Sequence, residues 1–207
     1  MKFTCFIDAC SYVNLSQEDC YVNGKTLLQL LSNELTLKFS YEVNQEISRH
    51  YSTLMPNSKK RASQVYRLQH KKIKTYKEYE RRLFDRVSLP KDKNRGEKFN
   101  LAAIIDNFIV GNKVGLIYLT DDNNALKGVL NGKIDCFPVY QIWNSYDVIL
   151  FLYLKNKYFG KEFAETAIRN ITSGFAKNYS PQTSPEKTEE KIKILKYYRD
   201  KLERVYR

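Results

Sequence analysis

No stretch of this 207-residue chain approaches the roughly 18–20 uncharged apolar residues that span a bilayer. The nearest run, "VILFLYL" at 148–154, follows Asp147 and is stopped by Lys155 and Lys157. The amino-terminal "MKFTCFID" carries neither the long apolar segment nor the small-residue cleavage site of a signal peptide. The expectation is therefore a cytoplasmic protein with no membrane partner. There is no CxxC pair, and the two histidines, His50 and His70, stand far apart. The four cysteines (Cys5, Cys10, Cys20, Cys136) suit reduced thiols of that compartment. A zinc site built from Cys5, Cys10 and Cys20 would have a spacing unlike the common patterns. Small buried hydrophobes are the better reading. Internal repeats and low-complexity tracts are also lacking.

What is present is a chain rich enough in apolar residues to fold. A hydrophobic fraction of 43%, with 11 Phe and 16 Tyr, argues against disorder. The length suits one domain with a real core, with or without an appendage. The net charge of +12 is unevenly placed. Residues 59–98 hold 15 Lys/Arg against 5 Asp/Glu, a net of +10, whereas residues 1–58 hold 4 against 6, a net of −2. A basic block of that kind points to a polyanion, nucleic acid before membrane surface. The plainer alternative, a solvated charged helix face, carries equal weight for a lone basic helix.

The pattern along the chain alternates strands and helices. "KFTCFID" (2–8) reads as a strand ending at Asp8, and "NGKTLLQLLSNEL" (23–35) as a turn followed by a Leu-faced helix. A strand at 35–40 leads to Ser40, a candidate N-cap for a helix at 41–51. From Ser58 to Val87 there is no Gly or Pro, and the spacing of Val65, Leu68, Ile73, Tyr76, Tyr79 and Leu83 predicts one long basic helix or a helical pair. A loop at 88–96 precedes a helix at 97–110, which Gly111 should stop. Next come a strand at 114–120, a short helix at 122–132 and a last strand at 133–139. Helices at 140–158, 161–178 and 186–206 complete the chain, with "YSPQTSP" as a spacer. The expected fold class is α/β, a parallel sheet flanked by helices, with a basic helical insertion at 59–95 and a C-terminal helical extension at 141–207.

Parallel sheets place ligand sites at the carboxyl ends of their strands. Asp8 ends the first strand, and "LIYLTDD" ends the third on Asp121 and Asp122. Glu46 sits early in the helix after the second strand, and Glu97 opens the helix that leads to the third. Carboxylates gathered from such distant positions repel one another unless a cation screens them. Oxygen ligands suit Mg²⁺ or Mn²⁺, beside which water becomes a better nucleophile on a phosphodiester. Glu42, one turn before Glu46, is an alternative to it, and Glu97 has a second reading as a favourable first-turn acid. Of Asp121 and Asp122, one as ligand and the other as N-cap is favoured, and sequence does not say which. Thr120 and Asn124 are accessory candidates for orienting water or phosphate, and Asn100, a turn after Glu97, is a further one.

These segments resemble the PIN-domain nucleases over about residues 1–140. The resemblance rests on "FIDACSYVNL" with Asp8, "SYEVNQE" with Glu46, "GEKFNLAAI" with Glu97, and "LIYLTDDNNAL" with Asp121 and Asp122, in the family's order. It implies a catalytic set of Asp8, Glu46, Glu97, Asp121 and Asp122, with Asp8, Glu97, Asp121 and Asp122 as metal ligands. It also implies Mg²⁺- or Mn²⁺-dependent cleavage of RNA, with DNA left open, by proteins that are commonly bacterial toxins restrained by an antitoxin. In the basic block, Lys59, Lys60, Arg61, Arg67, Lys71, Lys72, Lys74, Arg81 and Arg82 are candidates for tracking phosphates, and Tyr66, Tyr76 and Tyr79 for stacking on bases. The apolar stripe of the last helix would fold back on the domain or bind a protein partner, and an oligomer is compatible with either.

Overall fold

The computed structural model describes residues 3–16, 24–54, 74–76, 95–110, 116–122, 139–155 and 159–178, together with helical residues between 189 and 201. In chain order the elements are β1 (Thr4–Ile7), α1 (Ala9–Leu15), α2 (Leu27–Glu34), β2 (Thr36–Ser40) and α3 (Tyr41–Leu54). They continue with β3 (Lys74–Tyr76), α4 (Arg95–Val110), β4 (Leu116–Leu119), β5 (Val139–Trp143), α5 (Ser145–Lys155) and α6 (Lys161–Asn178). Among the described residues the strands form one sheet in the order β3-β2-β1-β4-β5, every pair parallel. The α/β class and the parallel sheet are as the alternating pattern implies.

The described chain falls into two compact units, residues 1–13 with 32–144 and residues 14–31 with 145–207. The first holds the sheet. Its core packs Phe6 of β1 and Leu116 and Tyr118 of β4 with Phe99, Leu101, Ala103 and Ile104 of α4. All four residues of β4 are buried, as expected of a central strand in a parallel sheet. Tyr12 of α1 meets Phe39 of β2 edge-on, ring centroids 6.1 Å apart. Helix α4 is tied to the sheet by side chains as well, since Lys38 Nζ of β2 donates to Asn107 Oδ1 at 2.5 Å.

The second unit is helical. Its residues 14–31 begin most of α2 with a reciprocal cap: Gln29 N donates to Thr26 Oγ1 (3.2 Å), and Thr26 N donates to Gln29 Oε1 (2.9 Å). Gly24, at φ +72°, turns the chain into that cap in a backbone region that side chains avoid. Val148, Ile149 and Leu152 of α5 are buried, as are Ala164, Ala167, Ile168 and Ile171 of α6. Lys196 reaches Glu165 of α6 at 3.8 Å, and Arg169 pairs with Glu189 at 3.1 Å. Among the described residues no helix is long and apolar enough to cross a membrane.

Two expectations need correction. Residues 74–76, placed by their spacing within one long basic helix or a helical pair, form β3 and pair with Lys38–Ser40 of β2. A three-residue strand is shorter than any window in which periodicity can be measured, and β-branched Thr75 beside Tyr76 suits extended backbone. The other residues of 55–94 lie outside those described, so the helical reading there has no counterpart. Val139–Trp143 form a strand where a helix was expected from residue 140, and that helix begins at Ser145. Of the strand expected at 133–139, residues 133–138 lie outside those described. "VYQIW" is β-branched and aromatic, and its pairing with β4 outweighed a short apolar run that fits helix equally well. The helix expected at 122–132 lies outside the described residues.

Candidate acidic site at the carboxyl edge of the sheet

The chain leaves β1 toward β2 and β3 on one side and returns to β4 and β5 on the other. The carboxyl ends of β1 and β4 therefore flank the point where strand order reverses, the usual ligand position of an open parallel sheet. Asp8 follows β1 there, and Thr120, Asp121 and Asp122 follow β4. The two strand ends are joined by backbone, Asp8 N donating to Leu119 O at 3.0 Å, and Thr120 N donates onward to Trp143 O of β5 at 2.9 Å.

Asp8 does two things at once. Its Oδ1 accepts from Ser11 N at 2.7 Å, which caps α1 and explains why the helix starts directly after the strand. Its Oδ2 accepts from the Thr120 hydroxyl. Thr120 Oγ1 in turn accepts from Asp122 N at 3.2 Å, so one buried hydroxyl couples the two strand ends. Asp8 is only 4% exposed. Burial, and then the charge of Asp121, push its pKa from 3.8 up to about 7, while the bonds from Thr120 and Ser11 oppose the rise. Asp121 and Asp122 are half-buried.

A second cluster lies along the same edge, around α4. Asn100 is fully buried, and its side-chain amide bridges two strands: Nδ2 donates to Ile7 O (2.9 Å), and Oδ1 accepts from Ser40 N (2.8 Å). Ser40 also caps α3, its Oγ accepting from Val43 N at 3.3 Å. One helical turn before Asn100, Gly96 lies against the carboxylate of Glu46: a Cβ at Gly96 would stand 2.6 and 2.7 Å from the two oxygens. Glu46 and Glu42 are both half-buried on α3, but it is the Glu46 carboxylate that meets the first turn of α4.

Of the acids singled out in the sequence, the structure brings Asp8 and Asp121 together, with Asp122 next in the chain and Thr120 between them. The Glu46 carboxylate lies against Gly96 in the first turn of α4. Glu97 occupies the first turn of α4, placed by its backbone. Among the described residues no group of three or more His, Cys, Asp or Glu side chains gathers closely enough to form a metal cage. Lys74 lies in β3, whereas Lys59, Lys60, Arg61, Arg67, Lys71, Lys72, Arg81, Arg82 and Asn124 fall outside the described residues. Cys5 is a buried thiol whose pKa burial raises, Cys10 is half-buried, and neither forms a disulfide. Two contributors were not read from the sequence, Ser11 as amide donor to Asp8 and Gly96 as the seat of Glu46. Asn100 appeared there only as a companion of Glu97, and its place among the apolar residues Phe99, Leu101, Ala103 and Ile104 was the available signal.

Compared with protein-family models, curated proteins and solved structures, the chain matches none.

Proposed function

We propose that the protein is a metal-dependent endonuclease of PIN-like design, in the first place an endoribonuclease. The observation that supports it is the meeting of Asp8 and Asp121 with the Thr120 hydroxyl at the reversal point of a parallel sheet. Two carboxylates crowded where burial already disfavours charge form a donor set of hard oxygens, which suits Mg²⁺ or Mn²⁺. Asp8 and Asp121 or Asp122 would hold the ion, with Glu97 and Glu46 as the further acids that the resemblance assigns. A bound cation of this kind supplies a more acidic water and stabilises charge on phosphoryl oxygens.

The chain's own groups prepare that site. Ser11 N and the Thr120 hydroxyl fix the Asp8 carboxylate in one orientation. Asp8 would give up its proton to a bound cation, whose charge would offset the burial and the Asp121 repulsion that hold its pKa near 7. No Ser, His or Cys nucleophile is required. Lys and Arg of 59–98 would track the phosphates of the substrate, and restraint by an antitoxin-like protein through the C-terminal helices fits a toxin or defence effector.

The test is cleavage of a fluorescent single-stranded RNA with Mn²⁺, with and without EDTA, by the parent chain and by Asp8→Asn. Cleavage that needs Mn²⁺ and is lost in the folded variant supports the reading; an Asp8→Asn protein as active as the parent sinks it. One observation favours a rival, a non-catalytic nucleic-acid-binding module on the same fold: Asp8 already has a structural task as the cap of α1. Calorimetry separates the two, since the module binds RNA with steep salt dependence but takes up no Mn²⁺.

A further inference from the structure

We propose that Gly96 is a positioning residue for the acidic site, a missing side chain that lets the Glu46 carboxylate seat on the first turn of α4. The activity arm of this inference rests on the nuclease reading; its structural arm does not. The geometry starts from contact. Both carboxylate oxygens of Glu46, and Cδ at 2.9 Å, lie inside the space that a Cβ at Gly96 would need. Real Cβ atoms essentially never stand that close, so any other residue at 96 makes the Glu46 carboxylate shift. The far end of a flexible side chain makes that movement at little cost in stability but at the expense of its position.

The seat is also a favourable one. Helix α4 runs for 16 residues, and the first turn of a helix carries unpaired N–H groups and the positive end of its dipole, where a carboxylate is stabilised. Asn100, one turn further on, anchors the same helix to Ile7 O and Ser40 N. Gly96 and Asn100 are i and i+4, so one face of α4 sets two things. It fixes the strand end that precedes Asp8, and it fixes the side chain that projects from α3. Glu97 adjoins Gly96 in the chain. The choice between Glu42 and Glu46, open in the sequence, follows from which of them the glycine admits.

The experiment is a double-mutant cycle with Gly96→Ala, Glu46→Asp and both together, read by thermal denaturation and by Mn²⁺-dependent cleavage of single-stranded RNA. Alanine ordinarily favours a helix over glycine, so in a chain without the contact Gly96→Ala raises the melting temperature. Beside Glu46 that gain should be smaller, because the carboxylate must leave its seat. Beside the shorter aspartate, whose carboxylate is drawn back by one methylene, the full gain should return. Cleavage should follow: Gly96→Ala alone falls at least tenfold and needs more Mn²⁺ for half-maximal rate, yet adds no further loss to Glu46→Asp. A Gly96→Ala change that shifts the melting temperature and the cleavage rate equally in both backgrounds overturns the proposal. If the parent cuts nothing, the nuclease reading fails, and the thermal cycle still decides whether Gly96 positions Glu46.

Discussion

The ends of β1 and β4 and the ends of β1 and β2 lie along one edge of one sheet, yet they treat buried polar groups in opposite ways. Between β1 and β2, the Asn100 amide presents one donor and one acceptor to one carbonyl and one N–H, and each polar group finds its complement. Between β1 and β4, a buried carboxylate faces a second carboxylate, and the Thr120 hydroxyl and the Ser11 amide moderate the charge of the first. A fully paired neutral bridge stabilises the fold. A crowded anionic pair opposes it, and such arrangements are kept where they serve chemistry. The contrast teaches that the first junction is structural and the second is the candidate site.

The largest expected effect breaks the contrast at its reactive half. Asp8→Asn should reduce Mn²⁺-dependent RNA cleavage to background while leaving the circular-dichroism spectrum unchanged. Next in size is Asn100→Leu, which strands Ile7 O and Ser40 N in the interior. Each buried unpaired group costs about 1–3 kcal/mol, so denaturant titration should show a loss of roughly 2–6 kcal/mol.

The pH dependence sharpens the same comparison. Folded Asp8 keeps its proton up to about pH 7, whereas in the unfolded chain it loses it near the ordinary value of 3.8. Between those values the folded state binds more protons, so the parent loses stability as pH rises from about 4 to about 7 and levels off above. Asp8→Asn should not show that loss, and by pH 8 it should exceed the parent by on the order of 2–4 kcal/mol. Asp121→Asn removes the second cause of the shift, and Asp8 should then titrate at lower pH, followed by NMR of its carboxyl carbon. Thr120→Val acts in the other direction, because the bond it removes favours the charged form. The smallest effect falls on the structural junction: Ser40→Ala should cost about 1 kcal/mol, the worth of one helix cap.

How much of this was legible depended on whether the signal was local. β1, β2, α3 and β4 could be read because their apolar patterns and caps lie within a few residues of one another, as Ser40 before Val43 does. β3 could not, since its partner is β2 and three residues carry no measurable period. β5 was read partly as helix because "VYQIW" is ambiguous until β4 lies beside it. In the site, Asp8 and Asp121 stood out as charges closing apolar strands. The bridging role of Asn100 did not, because the groups it pairs, Ile7 O and Ser40 N, are backbone atoms that every sequence possesses.

The sequence by itself determined the α/β class, the uneven positive charge and the acids that end strands, since all follow from residue type and spacing. Only the tertiary structure decided that Asp8 meets Thr120 and Asp121, that Asn100 spans two strands, and that Glu46 rather than Glu42 rests on Gly96. Those are matters of distance between segments far apart in the chain. Strand order and helix packing set such distances, and both depend on the whole core forming at once.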